Sequence, residues 1–254
     1  MDLLKAENLN RSFGGLKAVD NISFSVGECL IKAVIGPNGA GKTTLFNLIS
    51  GFLRPDSGSI VFADREIAGK SPFQVAEMGM ARTFQHIKLF PKMTALENVM
   101  TGRHIHSRAG FIPSMLHLPG MSREEKFIRE RSLEIMESVG IMDLADIEAT
   151  DLAYGQQRAV ELARALACEP RLLLLDEPAA GLNMRETAEV AGLIKKIRDS
   201  GITILIVEHD MSLVMGISDE IIVLSYGEKI AEDVPLAIQK NREVVRVYLG
   251  EDDA

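Results

Sequence analysis

Gly36-Pro-Asn-Gly-Ala-Gly-Lys-Thr-Thr44 is the stretch on which the reading of this chain turns. It follows the apolar run 33–35 and precedes residues 42–50, which read as a helix. The pattern is G-x-x-x-x-G-K-[ST], expected by chance in about one per cent of chains of this size. Glycines 36, 39 and 41 permit a tight loop whose backbone N–H groups point inward, as a triphosphate requires. A helix opening near Lys42 adds its positive dipole end. Lys42 then reaches the β- and γ-phosphates, and the Thr43 hydroxyl is suited to Mg²⁺.

A second motif narrows the chemistry. Residues 172–175 are an apolar strand ending in Asp176-Glu177-Pro178. A carboxylate at the end of a buried strand expected beside the strand that enters the loop can hold Mg²⁺, directly or through water, which assigns Asp176. The adjacent Glu177 points elsewhere and can polarise an attacking water.

Around these motifs the pattern is α/β. Residues 21–26 alternate, with Ile22, Phe24 and Val26 on one face, predicting a half-buried antiparallel strand. The continuous apolar runs 33–35, 172–175, 202–207 and 221–224 predict strands covered on both faces, as in a parallel sheet. Val190, Leu193, Ile194 and Ile197 form one helical stripe that Gly201 ends. From about Thr94 to Thr150 strand signals vanish. There, 122–139 reads as a charged helix with Ile128, Ile135 and Val139 inward, predicting a helical insertion. His104 and His106 form an H-x-H pair with no third ligand at metal spacing, which favours a solvated loop.

Composition sets the outer limits. The chain has 254 residues, 46% of them apolar, enough for a sizeable core. Its 28 basic and 36 acidic side chains give a net charge of −8, which disfavours coating nucleic acid by bulk charge. Two cysteines, Cys29 and Cys168, are too few for a disulfide framework and point to a reducing compartment. No apolar run approaches the ~20 residues that span a bilayer, and the opening MDLLKAENLN is charged where a signal peptide is apolar.

With these motifs in order, the chain resembles the ATP-binding subunits of ABC transporters. Leu152-Ala-Tyr-Gly-Gln-Gln157 and the helix after it resemble the family's signature. Gln85 in Thr83-Phe-Gln85 stands at the Q-loop position, and Gly181-Leu-Asn183 resembles the D-loop. His209 in Val207-Glu-His-Asp210 matches the switch histidine, and Phe13 the adenine-stacking aromatic. Ala179-Ala-Gly-Leu-Asn183, Glu208-His-Asp-Met-Ser-Leu-Val-Met-Gly-Ile-Ser218 and Arg246-Val-Tyr-Leu-Gly-Glu251 are similar to one of the two cassettes of branched-chain amino acid importers; amide and urea importers share these features.

The resemblance implies a P-loop NTPase core with an N-terminal antiparallel part and an inserted helical subdomain. The expected bounds are 1–86 with 166–235 for the core, 87–165 for the insertion and 236–254 for a C-terminal helix and tail. It implies ATP and Mg²⁺ as cofactors. ATP would lie on Phe13, on Gly36, Pro37, Asn38, Gly39, Ala40, Gly41, Lys42, Thr43 and Thr44, and on Ala153, Tyr154, Gly155 and Gln156 from across a dimer. Thr43, Gln85 and Asp176 would hold the metal, with Glu177, His209 and Gln85 catalytic. The implied partners are a second similar cassette, two transmembrane permease subunits and an external solute-binding protein, with the chain cytoplasmic on the inner face of the membrane. DNA-maintenance ATPases share the motifs but split the cassette with a long heptad insertion, and none lies between Lys42 and Leu152.

Overall fold

The computed structural model describes residues 2–106 and 119–249. The apolar run Phe111-Ile-Pro-Ser-Met-Leu116, read from sequence as covering the core or facing a partner, lies outside the described residues. The chain divides into two compact units, the first built from the stretches up to Arg82 and from Arg171 onward, the second Thr83–Pro170.

The first unit contains two sheets. Strands β1 (Asp2–Phe13), β2 (Leu16–Gly27), β4 (Ser57–Phe62) and β5 (Arg65–Glu66) form an antiparallel sheet in the order β2-β1-β4-β5. The alternation in β2 is as expected, with Ile22, Phe24 and Val26 buried. Gly14 and Gly15 turn β1 into β2, and Phe13 pairs with Leu16.

The second sheet runs β10-β9-β3-β8-β7-β6, with β3 (Ile31–Ile35), β6 (Met80–Arg82), β7 (Leu172–Asp176), β8 (Thr203–Val207), β9 (Glu220–Ser225) and β10 (Glu228–Asp233). All its pairings are parallel except β9–β10. Every residue of β3, β7 and β8 is buried, which explains why their sequences are apolar apart from Lys32, Asp176 and Thr203. Helix α1 (Lys42–Ile49) packs Leu45, Phe46 and Ile49 into one core with Leu4, Ile22 and Phe62 of the first sheet and Val34, Leu174 and Leu224 of the second. Lys32 of β3 is 2% exposed, and its Nζ donates to the Ser25 carbonyl at 2.6 Å and to Glu220 at 2.8 Å, with Glu232 as a third partner. A buried ammonium is tolerated because it is paired this fully. The short helix α2 (Pro72–Glu77) carries a Ser71–Gln74 capping box.

The second unit is helical, with α3 (Ala95–Arg103), α4 (Pro119–Ser138) and α5 (Tyr154–Leu166) around Leu96, Val99, Met136, Leu152 and Val160. The inward face of α4 differs from the sequence reading. Ile128 and Met136 are buried with Ser132 between them, while Ile135 and Val139 flank the core half-buried. The spacing i, i+4, i+8 keeps one face, and a serine in its middle hides it from a hydrophobic count. His104–His106 form a short 3-10 turn after α3. Among the described residues, no helix is long and apolar enough to cross a membrane.

The remaining helices, α6 (Met184–Asp199), α7 (Met211–Ile217), α8 (Pro235–Lys240) and α9 (Arg242–Leu249), belong to the first unit. In α6 the predicted stripe holds, with Ile194 and Ile197 buried and Val190 and Leu193 half-buried.

Candidate nucleotide site

In the first unit, the loop from Gly36 to Gly41 leaves the end of β3 and opens α1. Gly36 and Gly41 have φ of +150° and +101°, and Gly41 is the N-terminal cap of the helix. A Cβ at Gly36 would lie 2.2 Å from the Leu224 carbonyl oxygen, and one at Gly41 2.3 Å from that of Ala18. Only glycine fits either position, so the loop follows from close packing as well as from its φ values. Its far side is braced by the tip of the β9–β10 hairpin, where the Gly227 N–H donates to the Ala40 carbonyl at 3.2 Å.

Lys42 lies at the helix start and its Nζ donates to the carbonyls of Gly36 (2.7 Å) and Pro37 (2.9 Å). Burial pushes its pKa below the ordinary lysine value, against the pull of Glu177 and then Asp176. The two carboxylates are therefore within electrostatic reach of the ammonium. Thr43 is exposed and Thr44 half-buried in the first turn, while Pro37, Asn38 and Gly39 form the outer rim and Ala40 is buried.

Asp176 ends β7, which does not lie beside β3 as expected from sequence but two strands away, because β8 pairs between them. It is buried, and Arg82 Nη2 pairs with its Oδ2 at 2.8 Å. Arg82 was not singled out by sequence; it is a polar residue in a three-residue strand.

Glu177 turns the chain away from the sheet with φ of +50°, a left-handed conformation that costs a non-glycine residue about 1–2 kcal/mol. Its N–H donates to the Val207 carbonyl at 2.9 Å. Strain of this kind persists where surrounding structure over-determines it, which is common at functional sites. His209 follows β8, with Nδ1 3.8 Å from Glu177 Oε2. Its side chain is 64% exposed against 19% for Glu177, so the pair sits at the surface with the imidazole outermost. The structure thus brings Glu177 and His209, 32 positions apart, side by side.

Phe13 is half-exposed at the end of β1, and the Arg11 guanidinium lies 4.9 Å from its ring centroid. Asn183, expected in the D-loop, also caps α6: its side chain accepts the N–H groups of Arg185 and Glu186.

In the second unit, Gln85 is exposed in an irregular segment. Its backbone carbonyl accepts from Arg158 Nη2, and the Phe84 carbonyl accepts from Arg158 Nη1 at 2.7 Å. Arg158 also reaches the Tyr154 hydroxyl (3.2 Å) and pairs with Glu161 (3.1 Å). Burial raises the Glu161 pKa above its ordinary value, opposed by Arg158 and Arg164 and the Phe84 backbone. One buried guanidinium therefore ties the Gln85 segment to the signature helix.

Helix α5 starts at Tyr154, with Ala153 as its cap. Gln156 Oε1 accepts the Ala153 N–H at 3.0 Å, and the Ala153 carbonyl accepts the Gln157 N–H at 2.9 Å, but Ala153 has no side-chain oxygen to offer the helix. The N–H groups of the first turn are accordingly not capped by that residue.

Fold and site together define the class: the chain belongs to the ABC transporter family and is an ATP-binding cassette ATPase of it. The ABC transporter family model matches residues 19–180, and that of the branched-chain amino acid ATP-binding cassette transporters matches residues 228–254. Among curated proteins it is similar to the high-affinity branched-chain amino acid transport ATP-binding protein LivG. It is 44% identical over 98% of both chains to that of Salmonella typhimurium, and 43% over the same shares to that of Escherichia coli K12. Among solved structures it is similar to an ATP-binding cassette of an ABC transporter in its ADP conformation, with TM-score 0.86 and 34% identity over 99% of this chain and 100% of that one. A dimeric cassette bound to ADP and Pi in a post-hydrolysis state is also similar, with TM-score 0.77 and 26% identity over 91% and 98%.

Proposed function

We propose that this ATPase powers import of branched-chain amino acids through a membrane permease. The observation that carries the chemistry is the Asp176-Glu177 pair at the end of β7, within electrostatic reach of Lys42 and with His209 3.8 Å from Glu177. The solute class is supported by full-length similarity to LivG and by the C-terminal family match.

In this reading the loop from Gly36 to Thr44 receives the phosphates on its N–H groups, and Lys42 leaves its two carbonyls to meet them. Phe13 stacks on adenine. Oxygen atoms of Thr43 and Asp176 would be donors for Mg²⁺, a hard cation that takes oxygen ligands. When bound, that ion offsets charge developing on the phosphates. Glu177 accepts a proton from the attacking water, and His209 contacts the γ-phosphate from the same side.

The partner is a second similar cassette, with Ala153, Tyr154, Gly155 and Gln156 meeting the nucleotide held by the other subunit. The N-terminus of α5 suits that contact through the N–H groups of its first turn. Two permease subunits and an external solute-binding protein complete the assembly, which holds the chain at the inner face of the membrane. The test is reconstitution: the chain, a second cassette and two permease subunits in proteoliposomes, with labelled leucine and the binding protein supplied outside. ATP-dependent uptake is expected; solute-independent ATPase with no uptake of leucine, isoleucine or valine would refute the proposal.

A further inference from the structure

Glu208 closes β8 next to His209 and is 1% exposed. Its Oε1 accepts the Ala179 N–H at 2.9 Å, while Oε2 accepts the N–H of His209 at 3.1 Å and lies 3.5 Å from that of Asp210. Among the described residues these partners are backbone donors, with no cation paired to the carboxylate. Ala179 stands two residues past Glu177, and the Glu177 carbonyl accepts the Ala180 N–H at 3.1 Å. The segment bearing Glu177 is therefore fastened to the end of β8 twice, by the Val207 carbonyl before the turn and by the Glu208 carboxylate after it. The second fastening also fixes the start of the His209 segment.

We infer that Glu208 is a positioning residue, whose carboxylate sets His209 against Glu177 by bridging the two segments that carry them. Two oxygens on one rigid group are what the bridge needs. An amide offers a single acceptor and turns N–H groups toward other N–H groups. A shorter acid loses one methylene of reach. A buried carboxylate with backbone partners on two segments contributes to their relative placement even though it touches no reacting atom. The inference rests on the reading of Glu177 and His209 as the reacting pair.

The test uses Glu208→Gln and Glu208→Asp in the assembled protein, with His209→Ala as reference and double variants. Expected is a fall in kcat of about ten-fold or more, the rate equivalent of one misplaced charge-assisted hydrogen bond, with KM for ATP changed less than about two-fold. In the His209→Ala background, Glu208→Gln should cost under about two-fold more, because the residue it positions is gone. Wild-type kcat in both Glu208 variants, or an undiminished loss on top of His209→Ala, overturns the inference. Loss of folding in both variants, read as the thermal transition, would also overturn it, by assigning Glu208 to stability alone. If His209→Ala itself keeps full activity, the reading of His209 has failed, a separate outcome from normal Glu208 variants beside an impaired His209→Ala.

Discussion

Arg82 and Asp176 form a buried ion pair at the end of β7, with Nη2 2.8 Å from Oδ2 and both side chains under a tenth exposed. The same guanidinium donates to Asn47 Oδ1 at 2.8 Å and to Ser50 Oγ at 2.7 Å, so it also holds the C-terminal end of α1. Removing it leaves a buried carboxylate without its cation, and breaking such a pair costs about 3–5 kcal/mol. Arg82→Met should lower the urea midpoint accordingly. Arg82→Lys should fall between, since one ammonium cannot reproduce the planar fork. An unchanged midpoint in Arg82→Met would show that the pair contributes little.

Lys42 gives a pH prediction. Burial holds its folded-state pKa below 10.5, so between the two values the unfolded chain binds this proton more tightly than the folded chain. Its contribution to nucleotide-free stability therefore rises with pH across that window. Lys42→Met should be the more stable protein at neutral pH, and its advantage should shrink as pH approaches 10.5 in chemical unfolding. The same variant should lose ATP binding by calorimetry, as about two charge-assisted contacts of ~1.5–3 kcal/mol disappear. A pH-independent difference, or unchanged affinity, would contradict the role given to the ammonium.

Ala153 caps α5 without a side-chain acceptor, so Ala153→Ser supplies one. A serine cap adds ~0.5–2 kcal/mol of helix stability, and ATPase should be unchanged or mildly raised. Thermal melts beside turnover check this. A marked fall in turnover would mean that the position has no room for the hydroxyl.

Gly155→Asp places a carboxylate in the first turn of α5, where the second cassette's phosphates are proposed to arrive. ATP affinity of the isolated chain should stay nearly unchanged, while hydrolysis in the assembled transporter should be lost through like-charge repulsion. Normal hydrolysis there would exclude signature engagement across a dimer for this chain.

What the sequence discloses follows physical locality. The loop at Gly36–Gly41 is legible because its glycines answer to backbone geometry, and β3, β7 and β8 because burial on both faces leaves mostly apolar runs. Lys32, Arg82 and Glu208 are not legible. Lys32 interrupts the run that reads as 33–35, and its acids stand at 220 and 232. Arg82 meets an aspartate 94 positions away, and Glu208 meets an N–H 29 positions back. No spacing rule connects such pairs; the sheet order brings them together. The family resemblance locates Gln85 and the signature residues, whereas the Arg158 link from the Gln85 carbonyl to Tyr154 joins positions that no motif connects.

The central claim is that Glu177 is the base of an ATP-hydrolysing site, and Glu177→Gln tests it most directly. The substitution keeps size and shape, leaves Lys42 and Asp176 in place and removes only the proton acceptor. MgATP affinity by calorimetry should stay within about three-fold of wild type, while turnover falls at least ~100-fold, the contribution of a positioned general base. ATP-bound dimers should accumulate in gel filtration. Turnover at the wild-type rate with intact binding would contradict the assignment.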